Sequence, residues 1–447
     1  MPCLNMEKFI KPCIDSVIHQ TLNDIEILVI DAGSTDETLS ILDEYAHLDS
    51  RIQLLHSAKK SYGYQVNQGI SMASGEYIGI VETDDFVQED MFEVLYKKAL
   101  ETKADYVKGI SEAFYQGKNG MEWKFFIMPC KELSNQLEHC TIPKDSPDLF
   151  LHDNFIWNGI YRKEFVRRVK LNETLGAAFQ DIGALFQIIS QAGKGVYIKH
   201  LVYHYRQDNL GASSYNKKSF LYATAEYKYI ELFLDKLPEE WKKAYFLKMA
   251  GLSVDRFYFM ARSGEFWMES KDGIQELCQK IQKAVDANII VKDDCESWQN
   301  GLWEKLTIFL KNSYELYESL KSNYEKKWEE LNEILGIVQQ HKTFIFGAGR
   351  LGQFLHVYLQ FQGVRNIIAF CDNNERFQGT NLQGIPVISL EEAVNRTSGE
   401  YYIIAARSSK NRQEMYGQLI RMGVPEGHIE LYDIEEDLYL LAKNDKN

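Results

Sequence analysis

Two apolar runs among the first hundred residues each end in acids, and this pattern restricts the fold more than any other feature of the chain. One is Ile25-Glu-Ile-Leu-Val-Ile-Asp31; the other is Tyr77-Ile-Gly-Ile-Val-Glu-Thr-Asp-Asp-Phe86. The first run leads through Ala32-Gly33-Ser34-Thr35-Asp36-Glu37-Thr38 into Leu39, Ile41, Leu42 and Tyr45, whose spacing is that of an amphipathic helix. Strands joined by helical crossovers build a parallel sheet, and acids at their C-terminal ends converge on one crevice. The alternation holds to about residue 110. Helices are expected over 7–20, 36–46, 62–73 and 90–101, and strands over 25–31, 51–56 and 76–82. Alone, Asp84-Asp85 would read as a capped turn. At the tip of such a strand the pair instead suits a hard divalent cation, Mg²⁺ or Mn²⁺, shared with substrate phosphates.

A chain of 447 residues exceeds one ordinary core, so more than one domain is expected. A formal net charge of −14 argues against nucleic acid, whose phosphates need a basic footprint. The seven cysteines are widely spaced and form no Cys-x-x-Cys pair, which fits reduced thiols and offers no zinc site. There is no run of 18 apolar residues, and the expected location is the cytoplasm. A basic group, Arg162, Lys163, Arg167, Arg168 and Lys170, reads as a solvated helix face. Peripheral contact with an anionic membrane surface is the alternative.

Beyond about 217 the pattern turns helical, with apolar residues at three- and four-residue spacing over 222–237, 239–262, 273–287 and 303–339. The last of these, with Leu316, Tyr317, Leu320, Tyr324, Trp328 and Leu331, is long enough for a spacer or a homodimer-forming helix. A further unit begins near His341. The strand Lys342-Thr-Phe-Ile-Phe346 runs into Gly347-Ala-Gly349-Arg-Leu-Gly352 at the start of a helix, and a second strand ends in Cys371-Asp372. Glycines in this arrangement permit a tight turn and close approach of a pyrophosphate, while the acid accepts from a ribose hydroxyl. The segment resembles the Rossmann-like domains appended to some bacterial sugar transferases and found at the front of some sugar acyltransferases. A nucleotide bound there and a purely structural role both remain open.

The first 216 residues resemble the family 2 glycosyltransferases of the GT-A fold. Landmarks appear in family order: Pro2 and Asn5, Ser16 to Asn23, Ile30 to Thr38, and Asn67 to Gly75 with Tyr77. Thr83-Asp84-Asp85, Trp157-Asn158 with Tyr161-Arg162, Gln180-Asp181 and Tyr203-His-Tyr-Arg206 follow. Taken with the helical pattern and the C-terminal segment, the resemblance gives a mixed α/β chain in three parts. These are a GT-A-type nucleotide-binding sheet over 1–216, a helical connecting or dimerisation region over 217–338, and a small doubly wound Rossmann-like domain over 339–447.

It also implies roles. Asp31 would hold the base or ribose of the donor nucleotide, with Asp84 towards the ribose and Asp85 as the metal ligand. Tyr62, Gln65 and Asn67 would face the donor sugar, and Trp157 and Asn158 would flank the acceptor. Asp181 would be the general base that deprotonates the attacking hydroxyl, with inversion at the anomeric carbon. Ala32 and Leu4 depart from the family pattern, and with them goes certainty about the nucleobase. UDP is the commonest family choice.

The expected partners are therefore a nucleotide-sugar donor and a glycan or lipid-linked acceptor. Two other readings stay in view: a nucleotide-sugar-binding scaffold without catalysis, and an NAD-dependent sugar modifier in the C-terminal part. In the family a buried strand precedes the Pro2 position. The expectation is that Met1 is an internal methionine and that the natural start lies upstream.

Overall fold

The computed structural model describes residues 1–116, 122–176, 178–207, 209, 211–212, 216–263, 266–396, 399–406 and 408–431. The end of the segment expected over 339–447 and the side chain of Trp328 lie outside the described residues.

In chain order the first elements are β1 (Pro2–Cys3), α1 (Ile10–Ile18), β2 (Ile27–Asp31), α2 (Thr38–Leu48), β3 (Ile52–His56), α3 (Tyr62–Met72), β4 (Tyr77–Gly79), β5 (Phe86–Val87) and α4 (Met91–Thr102). The strands β1, β2 and β3 pair in parallel, which places Asp31 at a C-terminal edge. α1 starts three residues later than the spacing suggests. Pro12 then falls in its first turn, where the missing N–H has no partner to lose.

The chain continues through β6 (Tyr106–Gln116), β7 (Glu122–Ile127), β8 (Glu138–Thr141), β9 (Gly159–Arg162), α5 (Lys163–Val166), α6 (Gln180–Gln191) and β10 (Gly195–Arg206). A second sheet runs β4-β9-β6-β10-β5, with β4 antiparallel to β9 and β5 antiparallel to β10. One apolar core underlies both sheets, with Ile14, Val29 and Leu95 all fully buried.

β4 is shorter than the apolar run 76–82 suggests, because it has a ladder partner on only one side. Its other edge and the edge of β2 border a groove of about 540 Å³ lined by Leu28, Ile30, Ile78, Ile80 and Phe92. β1 closes only the end of that groove. The Met1 amine donates to the Leu28 carbonyl at 2.8 Å, where a strand's backbone N–H would sit. The Thr83 hydroxyl donates to the Pro2 carbonyl at 2.9 Å and ties the acidic end of the β4 segment to β1.

The helices are α7 (Ser219–Leu234), α8 (Glu239–Ser263), α9 (Trp267–Asp286), α10 (Lys292–Trp298), α11 (Leu302–Lys311) and α12 (Ser313–Gln340). The single helix expected over 303–339 is broken. Asn312 ends α11 and caps α12, its side-chain oxygen accepting the Glu315 N–H at 3.1 Å. The three-part division expected from sequence meets a two-unit chain: one unit is Met1–Ala113 with Phe125–Glu318, the other Phe114–Lys124 with Ser319–Asn447. Helices α7 to α11 belong to the first unit because their aromatic side chains anchor in it. Trp241 donates to the Lys144 carbonyl and Trp298 to the Leu151 carbonyl, each at 3.0 Å, and Trp241 meets Phe186 edge-on at 5.4 Å.

The second unit contains β11 (Thr343–Phe346), α13 (Arg350–Phe361), β12 (Ile367–Cys371), β13 (Asn381–Leu382), β14 (Ile385–Ile388), α14 (Leu390–Asn395), β15 (Tyr401–Ile404), α15 (Ser409–Arg421) and β16 (Ile429–Leu431). Its sheet runs β13-β14-β12-β11-β15-β16 and is parallel except for β13. All seven cysteines of the chain are free thiols. Among the described residues no helix is long and apolar enough to cross a membrane.

Candidate active site

The acids singled out in the sequence lie at the end of β2, after β4 and in the first turn of α6. Asp31 ends β2, and its carboxylate turns back on its own loop. Oδ2 accepts the Gly33 and Ser34 N–H groups at 2.8 and 3.0 Å, and Oδ1 accepts the Ser34 hydroxyl. Gly33 is needed there because its φ is +86°. Asp31 thus shapes the loop that follows it, whatever else it binds.

After β4 come Glu82, Thr83, Asp84 and Asp85. Asp85 is 1% exposed, and β10 grips it from both sides: Tyr203 donates its hydroxyl at 2.9 Å and Arg206 its backbone N–H at 2.7 Å. Burial, together with the neighbouring Asp84, pushes its carboxyl well above the ordinary range. Asp84 is half-buried, accepts from the Asn209 amide at 2.7 Å, and has its carbonyl held by the Arg206 guanidinium. Arg206 therefore braces this turn. Glu82, which the sequence reading passed over, accepts the Tyr62 hydroxyl at 2.5 Å. Burial pushes its carboxyl up to about 8; the Tyr62 contact opposes this, while Asp84 and Asp181 add to it.

The two other residues expected on the donor side hold backbone. Gln65 donates to the Cys3 and Ile30 carbonyls at 2.9 and 2.6 Å, fastening β1 to β2. Asn67 accepts the Leu171 N–H and donates to the Leu171 carbonyl, both at 2.9 Å, and so pins the strap 171–174. Gly63 lies under the same strap, where a Cβ would meet the Asn172 carbonyl oxygen at 1.9 Å.

Asp181 occupies the first turn of α6 and is half-buried. Burial raises its carboxyl above the ordinary range. The N–H groups of Asp181 and Ile182 and the amines of Lys248 and Lys108 hold it down. Its charge is among those that shift Tyr62, Glu82, Lys108, Tyr205, Glu226 and Lys248, and the neighbouring Gln180 reaches α3 by accepting the Gly63 N–H at 2.9 Å, next to the Tyr62 that donates to Glu82.

Lys108 is fully buried on β6 and donates to the Phe155 carbonyl. Burial drives its amine well below the ordinary lysine range. In sequence it was visible only as a lone lysine in an apolar strand. Lys248 and Glu226 were hidden as charged members of otherwise apolar helix faces.

On the expected acceptor side, Trp157 stacks on Tyr203 at 4.3 Å and on Phe155 at 4.5 Å. The Tyr203 ring thus links Trp157 to Asp85. Asn158 is fully buried, and among the described residues neither atom of its amide has a hydrogen-bond partner. The 540 Å³ groove lies apart from this site, and none of Asp31, Asp85 and Asp181 lines it.

In the second unit the glycine loop is tightly folded. Gly347 has φ +113°, and a Cβ on Gly352 would meet the Gly347 oxygen at 1.8 Å, whereas Gly349 has open space. Asp372 turns into this loop, accepting the Ala348 N–H at 2.6 Å and the Asn374 N–H at 2.8 Å.

Residues 1–169 match the family profile described as glycosyl transferase family 2. Similar curated proteins include the uncharacterized glycosyltransferase EpsJ of Bacillus subtilis (strain 168), 34% identical over 176 residues, 38% of this chain and 49% of that protein. Glycosyltransferase GlyG of Streptococcus pneumoniae serotype 4 (strain ATCC BAA-334 / TIGR4) is 32% identical over 215 residues, 46% of this chain and 69% of that protein. The chain thus spans 49% of the length of one and 69% of the other. Among solved structures, S. aureus TarS 1-349 in complex with UDP-GlcNAc aligns over 73% of this chain and 90% of that one, with a TM-score of 0.50 and 16% identity. That likeness is one of fold: a mixed α/β sheet of the GT-A kind.

Proposed function

The chain belongs to glycosyl transferase family 2, and from that premise we propose that it moves one sugar from a nucleoside-diphosphate donor to a hydroxyl of a glycan or lipid-linked acceptor, with inversion, in surface polysaccharide assembly. The observation that carries the reading is a run of contacts from the first turn of α6 to the acidic end of β4: Gln180 accepts the Gly63 N–H at 2.9 Å, and the adjacent Tyr62 donates its hydroxyl to Glu82 at 2.5 Å. A UDP-sugar is the donor of choice because TarS is described with UDP-GlcNAc.

The donor set fits a divalent cation. Glu82, Asp84 and Asp85 are hard oxygen donors; Asp84 raises the proton affinity of both Glu82 and Asp85, a repulsion that a dication would relieve. Among the described residues no three side chains form a metal-binding group, so donor phosphates would complete the shell. Asp85 would hold Mg²⁺ or Mn²⁺, with Asp84 beside the ribose. The ion supplies charge stabilisation to the departing diphosphate.

Asp181 would accept the acceptor's hydroxyl proton as that oxygen bonds to the anomeric carbon and the bond to phosphate breaks on the opposite face. Burial raises its proton affinity above that of an ordinary carboxylate, which strengthens it as a base, while Lys248 and Lys108 oppose that rise. Trp157, buried and stacked on Tyr203 and Phe155, would support the acceptor side from within. The topology of the second unit is Rossmann-like in this reading. Asp372 occupies an N–H of its glycine loop, and we assign the loop no nucleotide.

Calorimetric titration of UDP with and without Mn²⁺ tests the proposal. Binding that needs Mn²⁺, vanishes in Asp85→Ala and survives in Asp181→Asn is expected. Metal-independent binding, or none with UDP, GDP or dTDP, refutes it.

A further inference from the structure

The helix that carries Asp181 begins without a cap of its own. Phe179, just before α6, has φ 68° and no side-chain hydrogen bond to the helix. The first N–H groups of a helix need partners from elsewhere. One comes from α7, beyond the residues 1–169 that match the family profile. Glu226, 2% exposed, accepts the Gly183 N–H on Oε1 at 3.0 Å and the Asn172 amide on Oε2 at 3.1 Å.

These two contacts clamp three pieces together. Asn172 belongs to the strap that Asn67 pins at Leu171, and Gln180 ties the same strap to α3. Its amide donates to the Thr174 carbonyl at 2.8 Å, and its oxygen accepts the Gly63 N–H at 2.9 Å. The fit around the clamp is close: a Cβ on Gly183 would lie 2.0 Å from Glu226 Oε1. A carboxyl this deep is costly to bury, and the nearby Asp181 adds repulsion. Anchoring an apolar helix needs no such group. A carboxyl oxygen that accepts one of the first helix N–H groups, by contrast, fixes where that terminus sits.

Building on the assignment of Asp181 as base, we propose that Glu226 is a positioning residue, which locks the first turn of α6 onto the 171–174 strap and so aims the Asp181 carboxyl at the acceptor. The helical region is then part of the catalytic machinery, and no mere spacer.

The test uses the full chain with Mn²⁺ and follows UDP release from whichever of UDP-glucose, UDP-galactose and UDP-N-acetylglucosamine turns over fastest. Amide hydrogen exchange over 179–184 is followed in parallel. Glu226→Ala should lower kcat about ten- to a hundredfold, as a misplacement of ~1 Å does. Donor KM should stay within about twofold, and exchange at 179–184 should rise. Glu226→Gln, which keeps an acceptor for Gly183, should restore both.

Should the alanine variant not fold, Glu226→Asp replaces it. Its carboxyl falls one methylene short of Gly183, and the same loss is expected. Unchanged kcat in Ala or Asp, or a loss that Gln fails to restore, overturns the proposal. Asp181→Asn run alongside separates the two ideas. Full turnover in that variant removes the base assignment, while the exchange data still report on the clamp.

Discussion

Replacing Glu226 by Gln should change how stability depends on pH, and the sign is fixed by burial. The carboxyl ordinarily titrates near 4.5 and is pushed up to about 8, chiefly by burial, with Asp181 adding to it and the Asn172 amide and Gly183 N–H opposing. The folded chain therefore holds a proton that the unfolded chain releases between these values. That contribution to stability is complete below about pH 4.5 and is lost as pH rises towards 8. At ~1.4 kcal/mol per pH unit the interval amounts to about 5 kcal/mol. Glutamine carries no titrating proton and keeps the acceptor for Gly183.

The two proteins should then melt together near pH 5, and the Gln variant should be more stable near pH 8.5 by about 3–5 kcal/mol, which is on the order of 5–10 °C in a unit of this size. Differential scanning calorimetry across that range, following the transition of the catalytic unit, is the assay. A Tm difference between the two that does not vary with pH would show that Glu226 is ionised in the fold, and the reasoning would fail.

In the second unit, Gly352→Ala should destabilise by about 1–3 kcal/mol through collision with the Gly347 oxygen, while Gly349→Ala should be nearly neutral; thermal melts of the two distinguish them. An apolar segment of five residues placed ahead of Met1 should extend β1 between β2 and β4 and raise Tm by several degrees. A Gly-Ser segment of the same length should not, and equal melts for the two would refute a strand-shaped groove.

Much of the fold was readable because local pattern and tertiary role agree. The strands at Ile27–Asp31 and Ile52–His56 and the helices from Thr38 and Tyr62 lie within a few residues of their apolar periodicities. The positions of Asp31, Asp84, Asp85 and Asp181 at strand ends or a helix start were legible because spacing reveals such positions; their roles are part of the proposal. What local pattern does not carry has physical causes. Gln65 and Asn67, expected to face a donor sugar, satisfy backbone carbonyl and N–H groups of distant segments, a demand no local pattern shows. The helix expected over 303–339 breaks because one asparagine can end one helix and cap the next.

Order along the chain was thus enough to establish an alternating α/β sheet with its acids at one edge, since side-chain period and strand polarity are local properties. The surroundings of those acids came only from three-dimensional packing. Burial and neighbours, and not residue type, hold Glu82 and Glu226 near a titration point of about 8. The same packing sets the amines of Lys108 and Lys248 against Asp181 and draws helices α7 to α11 into the first unit. A proton affinity is the sum of desolvation and fields from residues far apart in sequence, so it exists only once the chain has closed around them.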